Sequence, residues 1–212
     1  HCRERLSTGE KHLCINCIDS IPRTGYYKEK ENKLEIFFSG RFPFVRIASL
    51  AYFVNDGIIQ SVIHELKYNS NPSIGIFIGN LSGYEINDSS FIRSVDYLLP
   101  VPLHPDREKE RGYNQSQKIA EGISSITQTP VSTGNLIRIK NNVSQTKKSR
   151  FERWENTKDI FSISDSDQFA GKHIMLIDDI ITTGSTLESC TKTVLQNCPD
   201  SRISIFSIGA VV

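Results

Sequence analysis

Several features that define whole classes of protein are missing from this sequence. No apolar run approaches the roughly 20 residues that a membrane-spanning helix needs, and no secretory signal is found. The formal net charge is only +1 at pH 7, so the chain lacks the overall basic excess that is typical of a nucleic-acid-binding protein. There are no internal repeats and no low-complexity tract. Nucleic-acid binding, if it occurs, would therefore depend on local basic patches.

Cysteine is scarce and unevenly placed. The chain has 5 cysteines, of which Cys2, Cys14 and Cys17 lie near the N-terminus. Cys190 and Cys198 lie in a C-terminal helical pattern and are expected to be core residues. This arrangement is not the disulfide framework of a secreted protein, so it favours a reducing, cytoplasmic location.

The remaining composition, with 38% hydrophobic and 23% charged residues, is ordinary for a globular chain. Three apolar runs, "VDYLLPVP", "HIMLID" and "RISIFSIGAVV", read as buried strands, and they alternate with amphipathic helical segments such as "STLESCTKTVLQNC". This alternation predicts an α/β fold with a mainly parallel twisted sheet flanked by helices.

Composition along the chain suggests three parts. Residues 1–25 are polar and cysteine-bearing, and they are expected to form a small module that needs a cross-link to stabilise its fold. Residues 26–70 are expected to form a linker or hood, with short β-rich runs from Leu34 to Phe53 followed by one helix. Residues 71–212 are expected to form the main domain, and Asn71-Pro72 marks the start of its first helix.

One segment joins a buried strand to two acids and a small-residue turn. Asp178 and Asp179 are expected where the strand leaves the sheet, at the edge where open α/β sheets bind ligands. The turn that follows opens a helix, and its free N–H groups and hydroxyls suit a phosphate. Its residues are Thr182, Thr183, Gly184, Ser185 and Thr186. Two carboxylates would repel that phosphate, so they are assigned to sugar hydroxyls or a metal ion on the same ligand, as in a ribose 5′-phosphate. Taken separately, the acids could simply end the strand and the turn could simply cap the helix.

The letters "IMLIDDIITTGST" resemble the signature of the type I phosphoribosyltransferases, which bind 5-phosphoribosyl 1-pyrophosphate (PRPP). The resemblance implies the type I phosphoribosyltransferase fold, with Asp178 and Asp179 on the ribose hydroxyls, the turn 182–186 on the 5′-phosphate, and Mg²⁺ bound with PRPP. A P-loop nucleotide site is disfavoured because the chain has no GxxxxGK[ST] motif.

A second segment, "LLPVPLHPDREKERGYNQSQKIAEGIS", resembles the ComF (competence protein F) branch of these proteins. It implies a backbone loop that receives pyrophosphate, with nearby arginines adding charge. The residues assigned to pyrophosphate binding are Val101, Pro102, Arg107 and Arg111, and those assigned to the motif loop are Asn114 and Gln115. Without the resemblance, a solvated charged loop would be favoured, because Glu108 and Glu110 nearly balance the cations.

A third segment, "NNVSQTKKSRFERWEN", resembles the lid that closes over the active site in this branch, which implies functions for Gln145, Arg153 and Asn156. Arg153 and Arg111 join the two acids as the residues assigned to catalysis. Lys148 stands where the branch often has Leu, so the lid is expected to be more basic. Residues 138 to 158 carry seven Lys or Arg against two Glu, an excess that could grip pyrophosphate or a nucleic-acid backbone, although a solvated loop is also compatible.

The N-terminal cysteines resemble the two CxxC pairs that hold one zinc ion in ComF-like proteins. Cys14 and Cys17 form one complete pair, whereas Cys2 has no partner within the sequence, so a fourth ligand is expected upstream of residue 1. Structural zinc takes four ligands in a tetrahedron, which would leave His1 or His12 as substitutes here.

Two hypotheses follow. The first is a magnesium-dependent phosphoribosyltransferase that joins an unidentified acceptor to PRPP and releases pyrophosphate. The second is a non-catalytic PRPP sensor or single-stranded-DNA-binding competence factor, with a competence helicase as a partner and with Tyr113, Phe151 and Trp154 available for base stacking.

Overall fold

The computed structural model describes residues 1–139 and 160–211. The strands are β1 (Ile47–Tyr52), β2 (Tyr97–Pro100), β3 (Leu136–Arg138), β4 (Phe161–Ile163), β5 (His173–Ile181) and β6 (Arg202–Ala210). The helices are α1 (Ile15–Asp19), α2 (Lys33–Phe38), α3 (Ile58–Tyr68), α4 (Pro72–Ile86), α5 (Ser90–Arg93), α6 (Pro105–Arg111), α7 (Gln115–Thr127) and α8 (Ser185–Asn197). Across the described ranges, none of the helices has both the length and the apolar character to cross a membrane.

The main sheet has the strand order β1-β6-β5-β2, and each neighbouring pair in it is parallel. The two central strands are almost entirely buried: β6 exposes only Arg202, and β5 is buried from His173 to Ile177. Strands buried on both faces require helices on both sides of the sheet. The predicted α/β fold with a mainly parallel sheet is therefore confirmed, and β3 and β4 form a separate antiparallel ribbon.

Helices α4 and α7 approach each other with almost no side chain between them. A Cβ atom at Gly79 would lie 2.3 Å from the carbonyl oxygen of Ile119, and one at Gly122 would lie 2.3 Å from that of Ile76. Only glycine permits so close a backbone contact. The pair holds α7, whose first residues border the candidate site, in a fixed position.

The prediction of short β-rich runs from Leu34 to Phe53 is wrong for its first part, which forms helix α2. The Asn32 side chain accepts hydrogen bonds from the N–H groups of Leu34 and Glu35, and this capping starts the helix. Leu34 and Phe38, four residues apart, are buried on the same helix face. Strand structure in this region is limited to β1.

Segments outside the sheet cover the outer edge of β1. The Thr24 N–H donates to the Leu50 carbonyl at 3.0 Å, and the Tyr52 N–H donates to the Pro22 carbonyl at 2.9 Å. The Asn32 side chain also donates to the Ile47 carbonyl at 2.9 Å. Residues 26–70 thus contribute a strand to the main sheet, and the three-part domain division remains a prediction.

Candidate functional site

The acid pair lies inside β5 rather than after it. Strand β2 ends at Pro100, opposite Ile177, whereas β5 continues along β6 to Ile181. Asp178 and Asp179 therefore begin just beyond the end of β2, where the neighbouring chain turns away as the loop after Pro100. The pair still borders the carboxyl end of a parallel strand, the place where α/β sheets bind ligands.

Asp178 is half-buried and accepts two hydrogen bonds on one carboxylate oxygen. Ser116 Oγ donates to Oδ1 at 3.1 Å, and the Asp179 N–H donates to the same atom at 2.9 Å. Burial, followed by the negative charge of Asp179, raises the pKa of Asp178 to about 7, although both hydrogen bonds and the Lys67 charge oppose this rise. Asp178 is therefore poised between its two protonation states near neutral pH.

Asp179 is buried and pairs with Lys67 near the C-terminus of α3. Lys67 Nζ lies 2.6 Å from Asp179 Oδ2, with side-chain exposures of 25% and 9%. Lys67 is not among the site residues predicted from the sequence. A signal was available, because Lys67 follows the inward-facing Ile63 by four residues and so lies on the same helix face.

The "RGYNQ" turn ties three parts of the site together. Tyr113 Oη donates to the Leu66 carbonyl at 2.6 Å, next to Lys67. Asn114 Nδ2 donates to the Val101 carbonyl at 3.0 Å, while its Oδ1 caps α7. Two residues later, Ser116 reaches Asp178. Asn114 and Gln115 are both buried, and no hydrogen-bond partner is found for Gln115 Nε2 in the described part of the chain.

The loop assigned to pyrophosphate begins where β2 ends. The Val101 N–H donates to the Ile177 carbonyl at 2.9 Å, and Pro102 has no N–H to offer. Backbone donors toward a ligand would therefore start at Leu103. Of the two assigned arginines on α6, Arg107 is exposed and Arg111 is half-buried.

A cleft of about 210 Å³ adjoins this loop. Its walls include residues of the loop, of α6, of the first turn of α7 and of β3, and its polar side chains are Glu108, Asn114, Gln117, Ser132, Thr133 and Arg138. Strands β3 and β4 border residues 140–159. The predicted lid residues Gln145, Arg153 and Asn156, together with Lys148, Phe151 and Trp154, lie outside the described residues.

The small-residue turn leads directly from β5 into α8. Gly184 is the N-cap and adopts the left-handed conformation, with φ of 73°, which favours glycine. Four of the turn's side chains are exposed: Thr182, Thr183, Ser185 and Thr186. The first turn of α8 presents backbone N–H groups and the positive end of the helix dipole beside these hydroxyls. This geometry suits a phosphate group.

Three cysteine sulfurs meet at the N-terminus. The Sγ atoms of Cys2, Cys14 and Cys17 all lie within 4.8 Å of one another, and those of Cys2 and Cys14 are 3.6 Å apart. Zinc–sulfur bonds of about 2.3 Å in a tetrahedron place sulfurs roughly 3.8 Å apart, so the trio fits one zinc ion. Neither His1 nor His12 belongs to this cluster among the described residues.

The proposed substitutes have other neighbours. His1 Nδ1 lies 3.0 Å from Ser61 Oγ, and the His12 ring packs against Phe77. Cys190 and Cys198 are buried, as expected of core residues. His64 is exposed on α3 and its ring contacts that of Tyr68.

Comparisons with known proteins bear on the predicted resemblance. Competence protein F from Haemophilus influenzae is 24% identical over 203 residues, which is 91% of this chain and 88% of that protein. Competence protein ComFC from Bacillus subtilis is 36% identical over 111 residues, which is 52% of this chain and 43% of that protein. The resemblance to the ComF family is therefore confirmed by curated relatives.

Two further comparisons complete these findings. No family model matches the chain. Among solved structures, a glutamine PRPP amidotransferase from Bacillus subtilis has a TM-score of 0.44 and 18% identity, covering 67% of this chain and 30% of that chain.

Proposed function

We propose that this chain binds PRPP and transfers its phosphoribosyl group to a nitrogenous acceptor, with release of pyrophosphate. The observation that supports this best is the continuity of β5 with α8: one strand carries the acid pair, and the turn at its end forms a phosphate cradle three residues later. A phosphorylated pentose has hydroxyls that the acid pair can bind and a phosphate that the turn can bind.

Each part of the site has a distinct task in this proposal. Asp178 and Asp179 hold the ribose hydroxyls, and the turn 182–186 holds the 5′-phosphate. Lys67, which pairs with Asp179, keeps the charge of the acid pair partly neutralised until the ribose binds. The loop from Leu103, which follows β2 beside the acid pair, and the arginines of α6 are assigned to the pyrophosphate.

In the reaction, the bond between the ribose C1 and the pyrophosphate oxygen breaks, and the electron pair leaves with pyrophosphate. The acceptor nitrogen forms the new bond to C1 with its lone pair and loses a proton. Rate enhancement would come from positioning and from cations beside the leaving group, without a protein nucleophile. Exclusion of water protects the electron-poor ribose, a task that we assign to the segment with Gln145, Arg153 and Asn156.

Mg²⁺ fits this site as a partner of PRPP. Magnesium in such sites is held by one or two carboxylates together with substrate phosphates, and Asp178 and Asp179 are hard oxygen donors of this kind. When bound, the ion would neutralise charge on the departing pyrophosphate. The cysteine trio would hold zinc in a structural role, away from this chemistry.

The decisive test is a calorimetric titration of PRPP in the presence of Mg²⁺. The double variant Asp178→Asn plus Asp179→Asn is expected to lose binding, because amides accept hydrogen bonds from ribose hydroxyls more weakly than carboxylates do. Asp165→Asn plus Asp167→Asn is the matched control, since it removes two charges at the surface before β5. Equal PRPP affinity in wild type and the acid-pair variant would refute the proposal.

A second variant tests Lys67. Lys67→Met leaves Asp179 buried without its cation, which is strongly unfavourable. Lys67 also lowers the pKa of Asp178, so in this variant we expect weaker PRPP binding below neutral pH, where Asp178 takes up a proton, and partial recovery at higher pH. A screen for pyrophosphate release across candidate bases would then identify the acceptor.

A second candidate function is a role in DNA uptake, and the names of the competence relatives favour it. Single-stranded DNA would bind along the basic segment from residue 138 to 158, with a helicase as a partner, and PRPP would then act as a regulatory ligand. Mobility-shift assays with single strands at two salt concentrations test this, because phosphate contacts weaken steeply with salt. A chain that shifts no single strand at low salt excludes it.

A further inference from the structure

The segment formed by α2 and the residues after it makes two contacts with the small-residue turn, through Phe38 and Arg41. The Phe38 ring lies over Gly184, where a Cβ atom would meet ring carbons at 2.1 and 2.2 Å. The Arg41 guanidinium stacks on the same ring, 4.8 Å from its centroid. Arg41 Nη1 also donates to the Thr183 carbonyl at 2.9 Å. A part of the chain that is 142 residues away in sequence therefore holds the turn.

The bond to Thr183 determines where a backbone donor points. The carbonyl of Thr183 and the N–H of Gly184 belong to one planar trans peptide group, in which they point in opposite directions. By holding the carbonyl on its own side, Arg41 directs the Gly184 N–H toward the opposite side of the turn. Stacking on Phe38 keeps the guanidinium plane in place, and Phe38 is fully buried.

Arg41 also neutralises a charge that would oppose an anion. Glu188 lies in the first turn of α8, where its carboxylate is close to the predicted phosphate cradle. Arg41 Nη2 is 2.7 Å from Glu188 Oε2, and Lys192 Nζ is 2.7 Å from Glu188 Oε1. Two cations therefore offset the carboxylate that would otherwise repel a phosphate.

We propose that Arg41 is a positioning residue of the phosphate cradle: it fixes the peptide plane between Thr183 and Gly184 and cancels the charge of Glu188, so that the turn is ordered before PRPP arrives. This inference rests on the proposed function, because it assumes that the turn binds the 5′-phosphate. It assigns a task to the hood segment, for which the sequence resemblance implied none.

A matched control is available elsewhere in the chain. Arg23 pairs with Glu85 at 2.6 Å with side-chain exposures of 29% and 24%, and the Arg41–Glu188 pair has exposures of 29% and 25%. Arg23 also donates to the carbonyls of Ile18 at 2.9 Å and Ile21 at 3.5 Å, and Arg41 donates to that of Thr183 at 2.9 Å. Arg23→Ala and Arg41→Ala therefore each remove a similarly exposed ion pair and hydrogen bonds to backbone carbonyls, and only Arg41→Ala also removes contacts with the turn and the Phe38 ring.

The experiment measures the PRPP dissociation constant with Mg²⁺ and the amide hydrogen exchange of residues 182–187 in the ligand-free protein. For Arg41→Ala we expect PRPP binding to weaken about tenfold, the factor that corresponds to releasing roughly one ordered backbone residue, with faster exchange in the turn. Arg41→Lys should give an intermediate value, because an ammonium lacks the planar fork needed for stacking and two contacts. Arg23→Ala should change neither quantity.

The outcomes separate the two claims. If wild type binds no PRPP, the proposed function fails, and hydrogen exchange alone still decides whether Arg41 orders the turn. If wild type binds PRPP and Arg41→Ala binds it equally well, the positioning role is overturned. The same holds if Arg41→Ala and Arg23→Ala weaken binding equally, because the effect would then reflect general stability.

Discussion

Replacing Gly184 by alanine tests the packing of Phe38, in the hood, on the small-residue turn. Two costs add at this position. The left-handed conformation, with φ of 73°, costs an alanine about 1–2 kcal/mol. The new methyl group would lie 2.1 Å from a Phe38 ring carbon, and overpacking of a buried ring costs about 1–3 kcal/mol more. We expect a total loss of about 2–5 kcal/mol in the free energy of unfolding.

Gly171→Ala isolates the first cost. Gly171 has φ of 67°, and a Cβ atom there would meet nothing within 4 Å. In urea denaturation, this variant should therefore lose only about 1–2 kcal/mol, the conformational part. The difference between the two variants measures the contact with Phe38.

A third variant makes the test selective. Phe38→Leu replaces the ring with a smaller branched side chain, so the double variant Phe38→Leu plus Gly184→Ala should be more stable than the sum of the two single effects predicts. Equal losses for Gly184→Ala and Gly171→Ala, with additive behaviour in the double variant, would refute the described packing of the hood on the turn.

Two further predictions concern the acids and the metal. The pKa of Asp178 rises on folding from the model-peptide value of 3.8 to about 7, so its contribution to stability is present at low pH and is lost as pH rises from about 4 to 7. Asp178→Asn, which keeps a hydrogen-bond acceptor for Ser116, should therefore show no such loss of stability with rising pH. In urea denaturation at pH 8 it should be more stable than wild type by roughly 2–4 kcal/mol. A wild-type stability that does not change over this pH range would contradict the prediction. For the cysteine trio, we expect native mass spectrometry to show zinc on wild type and no zinc on Cys14→Ser. Cys198→Ser, at a buried position outside the trio, is the control and should keep the zinc. Equal zinc content in the two variants would argue against the site.

The central strand, the helix after it and the small-residue turn between them could be predicted from sequence because they depend on local signals. The run from His173 to Ile177 is continuously apolar, and a small-residue turn around Gly184 opens the next helix. The inward face of α3 also follows from its periodicity. Such patterns record burial and backbone conformation within a few residues.

The remaining features depend on contacts between distant segments. Placing the acid pair inside β5 requires knowing that β2 ends at Pro100 while β6 continues, and the sequence of β5 contains no information on the length of its neighbours. The partners Lys67 and Asp179 are more than one hundred residues apart, as are Arg41 and Glu188. Helix α2 is predicted as strand because its 6 residues are too few to show the hydrophobic periodicity of a helix.

Both edges of the main sheet are covered by short segments of the same chain. Residues before α2 pair with β1, and on the opposite side the Leu98 N–H donates to the Pro130 carbonyl at 2.9 Å while the Ser132 N–H donates to the Leu98 carbonyl at 2.9 Å. An uncovered edge strand is a template for pairing with another molecule. Thr24 and Pro22 follow the cysteine trio closely, so a metal ion held by the trio, as proposed above, would also keep in place the residues that cover β1. Removing that metal would then uncover an edge strand and promote aggregation.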